Sequence, residues 1–475
     1  METEQQSTLS LLERLNGWIQ DSIMIKLFSI GLLILILLIP SSSINDLIYE
    51  RQQRADEVMD EVADKWSGAQ TISGPFLVIP YKKQEVIDLG KEGKETREYE
   101  EKAFFLPHQL DVKGNIKPQI LHRGIFDAVV YESELQIQSV FTKPDFKTLS
   151  IPEDMVLWNK AYMVFGITDV RGIQDSLTFM AGGLLLESEP SNNIGVSITS
   201  NLTHEKKDNA INSADPLNNN GITTKLSWNN AEDFSGNVNI KLNLKGSKRL
   251  DFIPAGKTTT VDLAGTWNNP SFDGEFLPDA REITENGFNA SWKVLHFNRP
   301  FSQQWTENNQ MLSGADFGVK LLIPVDQYQK STRTAKYGIL IILLTFMALF
   351  LVEITQKIRI HPFQYILIGA ALIIYYTLLL SFSEHVGYNL AYIISSVATV
   401  ALIGAYSRSF FTHGKLSILF SGLLVIFYLF IYIIILQQDF SLLLGSVGLF
   451  VIIGTLMYFS RKVKWYKETR PQQAI

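Results

Sequence analysis

Apolar residues gather at the two ends of the chain, and the period of the hydrophobic pattern changes between them. Leu27 to Ile39 is apolar throughout except for Ser29 and Gly31, with Ile23 and Ile44 extending the run. That length reaches the ~20 residues needed to cross ~30 Å of hydrocarbon. The run lies well inside the N-terminus, lacks a basic start, and is followed by Pro40-Ser-Ser-Ser, a poor small-x-small cleavage site. It therefore predicts a retained span over residues 22–43 rather than a signal peptide. Tyr337 to Val352, Pro362 to Phe382, Tyr388 to Tyr406, Leu416 to Leu436 and Phe440 to Phe459 are similarly apolar. Short links join them, so residues 336–460 predict a compact five-helix bundle.

Beyond the first span, Leu47, Ile48, Arg51, Ala55, Val58, Val62 and Trp66 recur every three or four residues, which predicts an amphipathic helix over 44–66. The period then becomes two. Asn237 to Lys245 alternates polar and apolar without error, as a half-buried strand requires. Glu134–Gln138, Thr224–Trp228, Thr259–Leu263 and Phe288–Val294 behave likewise. Turn residues at Lys113-Gly-Asn115, Asn218-Asn-Asn-Gly221 and Asn268-Asn-Pro-Ser271 separate them, and the Asn-rich Ser191 to Asn220 reads as a mobile loop. The expected fold is an α+β membrane protein with six transmembrane helices. A large, mostly antiparallel β-rich extracytoplasmic domain, residues 44–335, lies between the first helix and the other five.

Composition agrees: hydrophobic residues make up 46% of the 475 and charged residues 19%, below the ~25% of ordinary soluble domains. The net charge of −6 argues against a nucleic-acid partner, and the absence of cysteine excludes thiol chemistry and disulfides. Lys357 and Arg359 fall in one link, Arg408 and Lys415 in another, and Arg461, Lys462, Lys464, Lys467 and Arg470 follow the last span. The alternate links, Ser383 to Gly387 and Gln437 to Asp439, carry no basic residue. Basic links face the cytoplasm, so both termini are expected inside, with residues 44–335 periplasmic. Residues 461–475 form a basic cytoplasmic tail. Residues 1–21 form a cytoplasmic amphipathic leader, opened by a capping box at Ser10-Leu-Leu-Glu13.

Few residues of the chain suggest catalytic or metal chemistry. Gly256-Lys-Thr258 lacks the earlier glycine of a phosphate loop, since Asp251 stands there, and a strand follows it. His108, His122, His204 and His296 are scattered, although His108 with His122 is the pair a metal site would use. Within the spans, Lys26, Lys336, Glu353, Glu384, His385 and Arg408 all sit near helix ends, so no ionisable residue marks a midplane path. Thr345, Tyr375, Tyr376, Ser395, Ser396 and Thr399 supply interior hydroxyls for bonds between helices. Gly387, Ala391, Ser395, Ala401 and Ala405 supply small residues for close packing.

One family shares much of this sequence. Glu50-Arg-Gln-Gln-Arg54, Ser73-Gly-Pro-Phe-Leu-Val-Ile-Pro-Tyr81, His122-Arg-Gly-Ile-Phe126 and Phe165-Gly-Ile-Thr-Asp-Val-Arg-Gly-Ile173 resemble it. So do Trp267 to Pro278, Gly287 to Trp292, Phe317 to Tyr328, His361-Pro-Phe-Gln-Tyr365 and Leu380 to Gly387. The resemblance is to the CreD family of inner-membrane cell-envelope-integrity proteins and covers nearly the whole chain after the leader. Asn268-Asn269 before Pro270, where the family has a Trp-Pro type start, and the Asn-rich insertion near Ser191 depart from it. The resemblance implies a bacterial inner-membrane protein controlled with an envelope-stress two-component system. It also implies that altered dosage affects envelope permeability and colicin tolerance, and it implies no enzymatic reaction.

Two functions stay open at this point. One is a non-enzymatic protein that supports envelope integrity and stress response through its periplasmic domain. The alternative is a transporter or lipid-handling protein that uses the helical bundle. An envelope hydrolase would need a nucleophile and base that the sequence does not show. No cofactor is expected. Membrane lipids and periplasmic or envelope proteins are the expected partners, and oligomeric state is left open. Among candidate site residues, Glu384 and His385 are expected to hydrogen-bond the bundle to the β domain. Arg51 and Arg54, just outside the first span, are expected to pair with Asp326 or to meet anionic lipid.

Overall fold

The computed structural model describes residues 23–88, 94–175, 177–198, 219–306, 310–312, 314–322, 327–356, 358–411, 414–437 and 440–461. The leader with its capping box, most of the Asn-rich loop, Asp326 and most of the basic tail lie outside them. The chain divides into two compact units, residues 56–324 and a second made of residues 1–55 with 325–475.

The second unit is helical. Helix α1 (Ile23–Trp66) runs unbroken through Pro40, joining the first span to the amphipathic helix that the sequence period predicts. It begins in this unit and passes into the other after Ala55. There follow α2 (Gln327–Lys336), α3 (Gly338–Gln356), α4 (Pro362–Val386), α5 (Tyr388–Ser407), α6 (Gly414–Leu436) and α7 (Ser441–Ser460). The start and stop of α4 are written locally. His361 accepts from the Phe363 amide, Gln364 completes the capping box, and Pro362 opens the first turn. At the other end Gly387 takes φ 77°, a conformation costly for other residues, and lets α5 begin at once.

Five of these helices are long and apolar enough to cross a membrane: α1, α2 with α3, α4, α5 and α6. Among the described residues this is one fewer than the six expected. Helix α7, apolar over its 20 residues, occupies the sixth expected span; its apolar stretch among the described residues is Leu443–Thr455.

The β unit, residues 56–324, holds two large mixed sheets, of nine and eight strands among the described residues. In Asn237–Ser247, Val238, Ile240, Leu242 and Leu244 are buried while Asn237, Asn239, Lys241 and Asn243 are exposed. A one-residue slip of register would expose all four apolar side chains, so the alternation fixes the pairing. Both sheets contribute to one hydrophobic core, which includes Phe76, Leu77, Phe104, Tyr131, Phe165 and Trp292.

Most pairings are antiparallel, as expected. Each large sheet also contains a parallel pair, Gln70–Ile72 beside Leu250–Phe252 and Gln109–Ile116 beside Thr258–Gly265. The expected turn at Lys113-Gly-Asn115 is absent: those residues lie inside the strand Gln109–Arg123. Gly114 is there for closeness, since a Cβ would stand 2.6 Å from Leu263 and 2.9 Å from Leu135. Gly256 does sit in a turn before the strand Thr258–Gly265, as expected.

One hairpin extends beyond the core. Its strands, Gln70–Asp88 and Lys94–Phe105, stay paired to Asp88 and Lys94. Yet Lys82 to Val86 and Glu95 to Glu100 are all exposed, on both faces. Only their inner halves, such as Phe76 to Ile79 and Ala103 to Phe105, are buried.

Candidate functional site

Two glutamates near helix ends of the helical unit are almost completely buried, and each receives three donors. Glu384, in the last turn of α4, is bound by Arg51 of α1. Arg51 donates through Nε to Oε1 and through Nη2 to Oε2, both at 2.7 Å. Tyr328 of α2 donates its hydroxyl to Oε1 at 3.1 Å. The Glu384 side chain is 6% exposed and that of Arg51 35%.

Glu353, near the end of α3, repeats the arrangement. Lys26 of α1 donates to Oε1 at 2.6 Å, the Ile360 amide to Oε1 at 3.1 Å, and the Tyr365 hydroxyl to Oε2 at 3.0 Å. Its side chain is 4% exposed. A carboxylate removed from water loses several kcal/mol of solvation, which attraction repays only when geometry is good and the remaining lone pairs are satisfied. Three donors on each carboxylate, one set of them bidentate, meet that requirement.

Helices α3 and α4 follow one another through a short link, and each glutamate is close to the C-terminal end of its helix. The two carboxylates therefore sit at opposite ends of the bundle. On α1 their partners Lys26 and Arg51 are 25 residues apart, about 37 Å at 1.5 Å per residue. Between them α1 packs against α4 at Leu37, where a Cβ on Gly369 would stand 2.4 Å from the leucine. Ile44 and Ile48 are buried further along. Most of the apolar stretch of α1 is exposed, so it is a peripheral helix held at its ends.

Of the candidate residues read from the sequence, the structure brings Arg51 and Glu384 together. Arg54 is exposed further along α1, His385 is exposed beside Glu384, and Asp326 lies outside the described residues. Tyr328, Lys26, Glu353 and Tyr365 were not among the candidates. Their one sequence signal was the ionisable residue at each end of an apolar run.

The interior hydroxyls act differently from expectation. Helix-to-helix bonds are made by Thr334 with Tyr388 at 2.7 Å, Tyr392 with the Tyr428 carbonyl at 2.7 Å, and Ser407 with Ser417 at 2.6 Å. The hydroxyls of Thr345, Tyr376 and Ser395 have no hydrogen-bond partner among the described residues. Tyr375 packs edge-on against Tyr376 and Tyr428, at ring separations of 4.9 and 4.8 Å.

In the β unit, α1 ends with Lys245 Nζ 4.2 Å above the Trp66 ring and with Asp60 bound to Lys248 at 2.6 Å. Two carboxylates there are electrostatically unusual. Asp251, fully buried, is pushed up to about 7 by burial; Arg249, 2.6 Å away, pulls against the rise, while Asp316 and Asp273 add to it. Burial acts in the same upward sense on Asp169, but bonds from Arg171 and from the Gly68 amide overcome it and bring the group down to about 2.

No group of three His, Asp or Glu that could hold a metal ion occurs among the described residues. His108 precedes the strand Gln109–Arg123 and His122 is near its far end, about 45 Å away at 3.3 Å per residue. The pair therefore does not form a ligand set. His122 instead meets Asp127 at 2.6 Å on the surface.

Apolar helices tied together by buried ion pairs, on a chain that also builds a two-sheet β unit, define a multi-pass membrane protein with a large β domain. The family described as inner membrane protein CreD matches residues 22–466. Inner membrane protein CreD of Escherichia coli (strain K12) is 30% identical over 455 residues, covering 94% of each chain. The chain belongs to the CreD family and is a multi-pass protein of the inner membrane.

Proposed function

We propose that this protein supports the integrity and stress response of the cell envelope without catalysing a reaction, by contacts made through its β domain. In this reading the basic loops and both termini are cytoplasmic and residues 44–335 are periplasmic, following the distribution of Lys and Arg. Family membership supports the compartment.

The observation that carries the mode of action is the exposed hairpin. A segment exposed on both faces contributes little to the core, so its length points to something it touches. Its charges, including Lys83 bound to Glu101 at 2.9 Å, suit a polar partner and discourage strand-to-strand aggregation. The test is a variant in which residues 84–98 are replaced by a two-residue turn, expressed in cells lacking their own copy. The variant is expected to reach the membrane at normal levels and to leave the envelope leaky to a normally excluded dye. Full restoration of the barrier would overturn the reading.

A further inference from the structure

A groove of about 900 Å³ runs along the outside of the bundle between α5 and α6. That volume is at the upper end of the ~300–1,000 Å³ of small-molecule sites. It extends from Tyr392, one turn into α5, to Arg408 at that helix's C-terminal cap, sixteen residues or about 24 Å. Its walls are mostly aliphatic, with Val397, Val400, Ala401, Ile418 and Val425 among them. At one point the two helices come very close: a Cβ on Gly404 would stand 2.4 Å from the Ser421 hydroxyl. Elsewhere there is room, and a Cβ on Gly422 would meet nothing within 4 Å.

The two ends of the groove differ in charge. Arg408 is exposed and makes no ion pair among the described residues. Helix α6 begins beside it at Gly414, so its N-terminal positive end and the exposed Lys415 add to the same field. Ser417 and Ser421 line this end, and no acidic residue lines the groove among the described residues. The groove therefore suits an occupant that combines an anionic head with an extended apolar chain.

We infer that the α5–α6 groove is a binding site for an anionic glycerophospholipid, its phosphate at Arg408 and one acyl chain lying along the groove toward Tyr392. Ser396 and Tyr428 line the far half; neither is needed to hold the chain. On the orientation proposed above, the lipid belongs to the cytoplasmic leaflet. The site is independent of the hairpin reading, since each involves a different unit and can fail alone.

The test uses the full-length protein reconstituted in bilayers that contain a trace of phospholipid with a photoactivatable acyl chain. Phosphatidylglycerol and phosphatidylethanolamine probes are compared, and adducts are mapped to peptides. The expected result is labelling of α5 and α6 several-fold above α7 and several-fold stronger with phosphatidylglycerol. Arg408→Ala should bring the two probes to equality. Gly422→Phe should fill the groove and remove α5–α6 labelling while α7 remains labelled; Ala401→Phe serves the same purpose if the first variant does not fold. Even labelling of all lipid-facing helices, unchanged by these variants, would overturn the site. So would an α5–α6 face protected from both probes, because another protein would then cover it.

Discussion

Arg51 and Glu384, 333 residues apart in sequence, meet through two parallel hydrogen bonds of 2.7 Å. The pair joins α1 to α4 at one end of the bundle, and Lys26 with Glu353 joins α1 to α3 at the other. A peripheral helix with few buried apolar contacts needs such fastening. Helices in a membrane gain no hydrophobic attraction for one another, so packing and polar contacts must hold them.

The two partners of the first pair are unequally buried, so their removal should not cost the same. Arg51→Met leaves a carboxylate that is 6% exposed without its cation; because Arg51 itself is 35% exposed, the loss should fall toward or below the lower end of the ~3–5 kcal/mol of fully buried pairs. Glu384→Gln leaves an arginine side chain that is 35% exposed and can turn to water. Thermal unfolding of the purified full-length protein in detergent should show the larger drop for Arg51→Met. Equal drops would mean that burial does not set the cost.

At the other end, Tyr365→Phe removes one of three donors to Glu353 and leaves the packing of Phe346 against the ring, 5.5 Å between centres. A hydrogen bond to a charged group contributes about 1.5–3 kcal/mol. The midpoint of the same thermal transition should fall accordingly. An unchanged midpoint would show that the Lys26 and Ile360 donors suffice.

The β unit should respond to pH in two windows. Asp251 has a native value of about 7, above the ~3.9 of an unfolded aspartate. The native state then holds the extra proton, so stability falls as pH rises from about 4 to about 7 and levels off beyond. Asp169, at about 2, has the opposite sign: its contribution is present above about 4 and is lost as pH falls toward 2. Limited proteolysis of residues 56–324 within the full-length protein, followed across pH, reads both. Asp251→Asn should flatten the upper window and Asp169→Asn the lower. A profile unchanged by either variant would contradict the assignment.

The apolar runs of the helices and the two-residue alternation of Asn237 to Lys245 were legible because each is a local pattern, written in adjacent residues. Where local signals mislead, a distant contact explains it. Gly114 looks like a turn residue, but it is a glycine because Leu263 and Leu135 leave no room for a side chain. The parallel pairing of Gln109–Ile116 with Thr258–Gly265 joins segments far apart in sequence. The site was half legible. Arg51 and Glu384 stood out as charges beside apolar runs, but nothing in the sequence says which cation meets which acid across more than 300 residues. Lys26 and Glu353 carried the same signal at the opposite ends of their helices.

If the two buried glutamates hold α1 within the bundle, their loss should free it, and a disulfide between the helices reads this. Leu37→Cys with Gly369→Cys introduces the chain's only cysteines at a point where the two helices touch. Mild oxidation in native membranes should join α1 to α4 in nearly all molecules. Adding Glu353→Ala and Glu384→Ala together should reduce the crosslinked fraction several-fold. No crosslink in the first case, or an undiminished one in the second, would contradict the account.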